Sequence, residues 1–491
     1  RPQQRLPVGE RRSIVTRMRR EPLGSRAFGD ASPSYGKTGA GVRVSRLVRR
    51  LTPPQMVVFS FAAVILTGSA LLALPISSTG ERSSAIDALF TATSATCVTG
   101  LITRDTSRDW SLLGQVVILG LIQVGGLGIM SLSALVQILL NRPIGARGQD
   151  ALDQALDLSM RHQLRDVLRV IGLSTLAIEG FGFIALAPLF ARHGMPAGAS
   201  LWHAGFHSVS AFCNAGFSVD PRNLEGYATD PWVLFCVAAL IVLGGLGFAV
   251  HTNLYLMVRD RGKRPGERMS LQTRIVLTVT AALIIGGTAV LFLTECRPGG
   301  EWAGQGVGYG LSQAAFQSVS ARTAGFNSVP MAALSDAGVF ALVVLMFIGA
   351  SPGSTGGGIK TTSLAAIGAA IVAMARHRRT VEWGHRSIPF MVVYRAMAVG
   401  ALFLIAVTIG TMGLMLTDGV ALRDALFEVT SALCTVGLST GNTAGLSSAG
   451  KVVLVILMFA GRVGPLTLVV SLGSFDRRGA IEYPEATVAV G

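Results

Sequence analysis

The sequence predicts an all-α membrane protein of eight transmembrane spans, arranged as four repeats of span, short re-entrant segment and span. Three observations carry this: a composition too apolar for water, apolar runs of membrane-crossing length, and an internal fourfold repeat. Half of the 491 residues are apolar and 14% are charged, where a soluble chain carries about a quarter. Apolar runs lie at 56–75, 112–140, 170–190, 233–258, 275–294, 338–350, 391–416 and 451–473. Most reach the roughly 20 residues that cross about 30 Å of hydrocarbon as helix. The run at 338–350 is short, meets a glycine-rich stretch at 349–358 and becomes apolar again at 363–375, so it reads as one broken helix.

Basic residues orient these spans. The segments 1–50, 141–166, 259–274, 376–395 and 475–491 hold 30 of the 42. The alternate connections hold a handful, typified by Arg82, Arg104, Arg222 and Arg297. By the positive-inside rule both termini and the basic loops are cytoplasmic, which requires an even number of spans. The net charge of +15 invites a nucleic-acid reading, but the first fifty residues alone carry 13 basic and three acidic groups. That tail, 1–55, lacks the apolar core of a secretory signal and reads as a disordered cytoplasmic segment held near anionic lipid, with no nucleic acid as partner. The five cysteines, Cys97, Cys213, Cys236, Cys296 and Cys434, show no metal-ligand spacing and no disulfide framework.

Four segments align with one another: Phe90-x-x-x-Ser94-Ala95 leading to Gly100, Phe206-x-x-x-Ser210-Ala211 to Gly216, Phe316-x-x-x-Ser320-Ala321 to Gly325, and Phe427-x-x-x-Ser431-Ala432 to Gly437. The glycines fall 116, 109 and 112 residues apart, each between two apolar runs. A second glycine landmark, at Gly125, Gly244, Gly349 and Gly461, follows 24 to 28 residues later. The third unit is one residue shorter between Phe and Gly, which leaves the surroundings of Arg322 open. The expected organisation is the tail 1–55, repeats at 56–140, 141–258, 259–375 and 376–475, and a cytoplasmic C-terminal tail at 476–491.

The short segments 84–97, 200–213, 309–322 and 423–434 cannot span. Non-helical backbone at membrane depth is tolerated only where protein or a watery cavity surrounds it, and four such turns about one axis enclose a pseudo-fourfold central pore. Helix C-termini aimed at that axis favour a cation. The residues that follow, Val98-Thr99-Gly100, Asn214-Ala215-Gly216, Thr323-Ala324-Gly325 and Thr435-Val436-Gly437, can turn carbonyl oxygens inward to replace the water shell of a weakly hydrated monovalent ion. Four hairpins that merely pack are the bland alternative, and the recurrence with flanking spans argues against it.

The four loop units, the Thr323-Ala-Gly-Phe-Asn wording and the later Pro352-Gly-Ser-Thr-Gly-Gly-Gly358-Ile-Lys360-Thr361 stretch resemble the Trk/Ktr/HKT superfamily of potassium transporters, from about Met56 to Phe475. The absence of a further span before Met56 is most like the bacterial Ktr membrane subunit. The resemblance implies potassium as the carried ion, because sodium-favouring plant relatives have serine at the first filter glycine. Sodium as a coupling or regulatory ion is left open, and no organic cofactor is implied. It also implies a homodimer, a cytoplasmic nucleotide-binding (RCK-type) regulatory ring and a bacterial plasma-membrane location.

Gly353-Ser354-Thr355-Gly356-Gly357-Gly358 with Lys360 is close to a phosphate-binding loop, but Ile359 separates the last glycine from the lysine and the flanks are membrane helix. A flexible polar loop below the filter reads instead as an obstruction that moves, matching the family's intramembrane gate. Lys360 and Arg462 are intramembrane charges expected to face the pore or that loop, and Arg462 matches the arginine the family sets against its gate. His203 and His207, one turn apart, are expected to pack within a pore helix, and Glu179 is left unassigned. Nothing in the sequence argues for catalysis. A sodium or non-selective cation transporter and a membrane-embedded enzyme are the alternatives carried.

Overall fold

The computed structural model describes residues 53–140, 149–259, 269–384, 386–464 and Thr467; the basic tail through residue 52 and the tail 476–491 lie outside the described residues. The first unit contains α1 (Pro53–Leu72), α2 (Ala85–Thr96) and α3 (Leu112–Leu140). The second contains α4 (Gln149–Arg192), α5 (Ala197–Phe212), α6 (Pro231–Leu246) and α7 (Phe248–Arg259). The third contains α8 (Leu271–Glu295), α9 (Val307–Ser320), α10 (Asp336–Phe347) and α11 (Thr361–Ala375). After a hairpin of β1 (Val381–Trp383) and β2 (Arg386–Ile388), the fourth contains α12 (Phe390–Asp418), α13 (Leu422–Leu433) and α14 (Ser448–Val463). The antiparallel hairpin, with Glu382 opposite Ser387, departs from the all-helical expectation.

Among the described residues, four helical stretches suffice by length and composition to cross a membrane: Gln55–Leu72, Leu168–Arg192, Leu271–Glu295 and Phe390–Asp418. Treating α6 and α7 as one bent span makes five, against the eight expected. All four are the first helices of their units. Among the second helices, α3 runs unbroken over 29 residues, α10 stops at Phe347 where the glycine-rich loop begins, and the run expected as one helix over 233–258 bends by 96° between α6 and α7. Gly247, at φ +87°, makes that bend, and a Cβ there would stand 2.7 Å from the Pro352 carbonyl oxygen. Only glycine combines that backbone with so close a neighbour.

Side-chain caps fix where each second helix begins. Ser111 accepts from the Gly114 amide at 3.2 Å, Asp230 from Trp232 at 2.9 Å, Ser335 from Gly338 at 3.2 Å and Ser447 from Gly450 at 3.2 Å. Each satisfies an otherwise orphaned amide of the first turn.

Packing between units follows one cyclic rule. The second helix of each unit packs against the short helix of the next, in the pairs α3 with α5, α6 with α9, α10 with α13, and α14 with α2. Polar ties repeat it, from a residue one turn before each repeat phenylalanine. Trp202 donates to Gln115 (2.9 Å), Gln313 to the Ala228 carbonyl (2.7 Å), Arg423 to the Leu334 carbonyl (2.7 Å), and Asp87 pairs with Lys451 (2.9 Å). The repeat phenylalanines are buried in apolar clusters that cross these boundaries: Phe206 with Ala88 and Ala92, Phe316 with Leu224 and Val233, and Phe427 with Val329 and Leu342.

Candidate functional site

Each short helix ends in a turn of the same construction. The amides of Thr99, Ala215 and Val436 return to the carbonyls of Ser94, Ser210 and Ser431, all at 2.8 Å, and that of Ala324 to Ser320 at 2.9 Å. The third turn thus spans four residues where the others span five. Its serine and its glycine keep their places, and the missing residue is absorbed between them.

The repeat serine has a second use. In the first and fourth units its hydroxyl accepts from the glycine amide, Gly100 to Ser94 at 3.1 Å and Gly437 to Ser431 at 3.0 Å. In the second and third it donates to the carbonyl after the glycine, Ser210 to Phe217 at 2.7 Å and Ser320 to Phe326 at 2.5 Å.

Backbone handedness alternates through every turn. Val98, Asn214, Thr323 and Thr435 have φ of +56°, +59°, +71° and +52°; Gly100, Gly216, Gly325 and Gly437 have +99°, +69°, +77° and +99°. The residue between each pair, Thr99, Ala215, Ala324 or Val436, does not take positive φ. Left-handed β-branched residues at three positions are strained, on the order of 1–3 kcal/mol each, and persist only where the surroundings impose them. Alternating the sign of φ brings successive carbonyls toward one side of the chain.

The four turns touch in a ring. A Cβ on Gly100 would lie 2.5 Å from the Ala215 oxygen, and one on Gly216 would lie 2.8 Å from the Ala324 oxygen. One on Gly325 would overlap the Val436 oxygen, and one on Gly437 the Thr99 oxygen, which returns to the first unit. Bare Cα atoms therefore let four carbonyl oxygens converge. Beside them the hydroxyls of Thr99, Thr323 and Thr435 are buried without a hydrogen-bond partner. This all-oxygen donor set suits a hard monovalent cation and offers no soft ligand.

On one side of the ring a cavity of about 320 Å³ is lined by all four glycines and by residues that follow them, among them Asp105, Asp220 and Glu225. Against the other side lies the buried loop 350–359, which reaches all four units. Gly356 and Gly357 press so closely on the hydroxyls of Thr323 and Thr435 that a Cβ on either would overlap them. The Thr355 hydroxyl donates to the Phe212 carbonyl (3.2 Å), and the Ser351 amide to that of Gly245 (3.1 Å). The Phe248 amide donates to the Gly353 carbonyl (3.1 Å), which fastens the loop to the α6–α7 bend.

Two cations complete this arrangement. Arg462, buried on α14, donates to the Thr355 carbonyl and, at 2.8 Å, to that of Gly125. Lys360 folds back on its own loop, its Nζ donating to the Gly356 carbonyl at 2.7 Å. Gly358, at φ +67°, lies against Gly349, and Ser354 donates to the Ser351 carbonyl at 2.6 Å. The second landmark glycines diverge here: Gly125, Gly244 and Gly461 sit under the carbonyls of Thr96, Phe212 and Leu433, whereas Gly349 sits under Gly357 of the loop. Arg322 points away from the ring toward α8, where it reaches the Thr280 hydroxyl at 3.5 Å.

One layer of support escapes motif reading. The residue just after each repeat phenylalanine braces the chain beyond the glycine: His207 to Ser218 (2.9 Å), Gln317 to Ser328 (3.1 Å) and Glu428 to Ser439 (2.5 Å). In the first unit Thr91 holds the position and its hydroxyl is unpartnered. The available signal was a polar residue recurring at that one position of an otherwise small and apolar segment.

Long apolar helices and a ring of oxygen-bearing turns define a polytopic helical membrane protein of the cation-transport class. A profile of the family described as TrkH, cation transport protein, matches residues 48–474, and the chain belongs to that family. It is 36% identical over 443 residues to the Ktr system potassium uptake protein B of Bacillus subtilis (strain 168), covering 90% of this chain and 97% of that one. It is also 36% identical over 454 residues to the potassium/sodium uptake protein NtpJ of Enterococcus hirae, covering 91% and 99%. The crystal structure of the potassium transporter TrkH from Vibrio parahaemolyticus matches with a TM-score of 0.66 at 21% identity, over 86% of this chain and 84% of that one, and so shares the fold.

Proposed function

We propose that this protein takes up potassium across the bacterial plasma membrane through a pore formed by its four units. The cyclic closure of the four glycine turns supports the reading, since each turn's glycine lies against the next turn's carbonyl oxygen. In this reading eight spans surround a pseudo-fourfold pore, both termini are cytoplasmic, and the cavity bearing Asp105, Asp220 and Glu225 is the outer mouth. Residues 98–100, 214–216, 323–325 and 435–437 are the selectivity filter. The short helices direct their negative C-terminal ends at it, and the carbonyls replace an ion's hydration shell.

The loop Gly353–Gly358, with Lys360 and Arg462, is the gate, closed as it stands against the filter. It lies on the cytoplasmic side, where a partner subunit acts on it. The Ktr names of relatives support a two-component system, in which we place an RCK-type ring beneath a homodimer. A sodium or non-selective cation transporter is the second reading, favoured by the potassium/sodium name of one relative. Glycine at all four filter positions weighs against it. The membrane-embedded enzyme is disfavoured by relatives named as transporters.

Rescue of a potassium-uptake-deficient bacterium at low external potassium tests the proposal. The native chain should restore growth, and Gly100→Ser and Gly325→Ser should lose it or admit sodium. A well-expressed native chain that fails to rescue refutes the function; rescue indifferent to both serines refutes the filter.

A further inference from the structure

His203 and His207 were expected to do no more than pack, because no third ligand follows them at suitable spacing. The fold supplies one from beyond the glycine turn. Asp220 returns to α5 with its Oδ2 3.3 Å from His203 Nδ1 and 3.7 Å from His207 Nε2. One donor atom from each of the three lies within 4.8 Å of the others. Four-coordinate zinc, with bonds of about 2.0–2.2 Å, holds its donors roughly 3.3–3.6 Å apart. The His203–Asp220 distance falls in that range, the His207–Asp220 distance lies just above it, and the two imidazoles, with donor atoms within 4.8 Å of each other, complete the set.

The supporting contacts favour a ligand role. His207 Nδ1 lies 2.8 Å from the His203 carbonyl oxygen, which can only accept. Nδ1 therefore carries a proton, and in the neutral imidazole Nε2 presents its lone pair toward Asp220 and Ser218 Oγ, 2.9 Å away. Carbonyl-anchored imidazoles of this kind are usual at metal sites. The Tyr227 hydroxyl, 3.4 Å from both carboxylate oxygens, and the Phe190 ring, 5.3 Å from that of His207, wall the cluster. Asp220 and Ser218 line the 320 Å³ cavity, so an ion in that mouth meets the carboxylate first.

We propose that the His203–His207–Asp220 cluster binds a transition-metal dication of the zinc type from the cavity, and that occupancy slows cation flux. Two imidazoles and one carboxylate select such an ion over calcium or magnesium, which take oxygen-rich sites. Occupancy takes His207 Nε2 from Ser218 and so removes the brace on the chain after Gly216. The second turn of the ring is then no longer held as the others are.

The purified full-length protein in detergent is titrated with cobalt(II), followed by its visible absorption, and zinc is then added to displace it. Saturable binding of one equivalent per chain with the spectrum of a four-coordinate nitrogen–oxygen site is expected. His203→Ala should weaken it by at least ~10–100-fold, the loss seen when even an outer partner is removed, without changing the melting temperature. Asp220→Asn serves as a second variant. Absent binding, or binding that both variants leave intact, overturns the site.

In proteoliposomes, external zinc should slow rubidium uptake by the native chain and not by His203→Ala, whose uptake without zinc should equal the native rate. Equal slowing of both overturns the link to flux. A chain that binds cobalt at this cluster but passes no rubidium or potassium at all refutes the transport reading and leaves the metal site standing.

Discussion

Arg462 should be the latch on the loop beneath the filter. Its guanidinium makes two hydrogen bonds, to the carbonyls of Thr355 and Gly125, and so ties that loop to the first and fourth units at once. A hydrogen bond with a charged partner contributes about 1.5–3 kcal/mol, so losing both when the loop leaves costs roughly 3–6 kcal/mol. At 1.4 kcal/mol per factor of ten this is ~10²–10⁴ in the ratio of closed to open states. Arg462→Met keeps most of the volume and removes the bonds, and Arg462→Lys keeps the charge but cannot form the same fork. Rubidium uptake into proteoliposomes lacking any partner subunit should rise in the order native, Lys, Met, by at least tenfold at the end. Native-like uptake by a folded Met variant would show that the backbone bonds from Gly245 and Phe248 hold the loop unaided, and the latch would be lost.

Three further predictions follow from neighbouring contacts. Serine at Gly437, whose Cβ would overlap the Thr99 oxygen, should damage potassium-over-sodium uptake more than serine at Gly216, where the gap is 2.8 Å; the reverse order in competition uptake would contradict the ring geometry. Glu428→Ala strips the carboxylate from Ser439, Thr440 and Thr443, whose two hydroxyls at Ser439 and Thr443 still share a 3.0 Å bond with each other. At about 1–3 kcal/mol for each donor left buried and unpaired, it should lower both the melting temperature and selectivity, with Glu428→Gln milder. Asp230→Ala removes the α6 cap and should cost about 0.5–2 kcal/mol, whereas Asn should nearly preserve it. Burial pushes the Asp230 carboxyl up, but hydrogen bonds from His193 and the amides of Trp232 and Val233 outweigh this and hold it below its usual value. Its contribution is therefore present above the unfolded carboxylate pKa of about 3.9 and lost as pH falls through the lower folded value, so the native–Ala difference in melting temperature should vanish in strong acid.

The short helices were legible to within a few residues because the Phe-x-x-x-Ser-Ala repeat marks their ends, and the broken third unit because apolar runs flank a glycine-rich stretch. The bend at Gly247 was not, since Gly244-Gly-Leu-Gly247 reads like the uninterrupted stretch at Gly125; the approach of Pro352 from the neighbouring third unit distinguishes them. For a related reason hydropathy joined 233–258 into one run: it sees apolar residues on either side of a kink but not the kink. Arg322 was open because one missing residue permits two alignments, and its turn keeps the glycine register by shortening the return to Ser320. The approach of Asp220 to His203 and His207 is a product of chain reversal after Gly216, and no spacing rule encodes it.

The loop that fills the space under the ring comes from the third unit alone. Four identical subunits would each carry such a segment, and four could not occupy one axis together. Placing the quarters on one polypeptide removes that conflict: the first, second and fourth keep Gly125, Gly244 and Gly461 tucked beneath their own short helices, while the third is free to give up its helix for an obstruction. Tandem duplication thereby permits an asymmetric closure that exact rotational symmetry forbids.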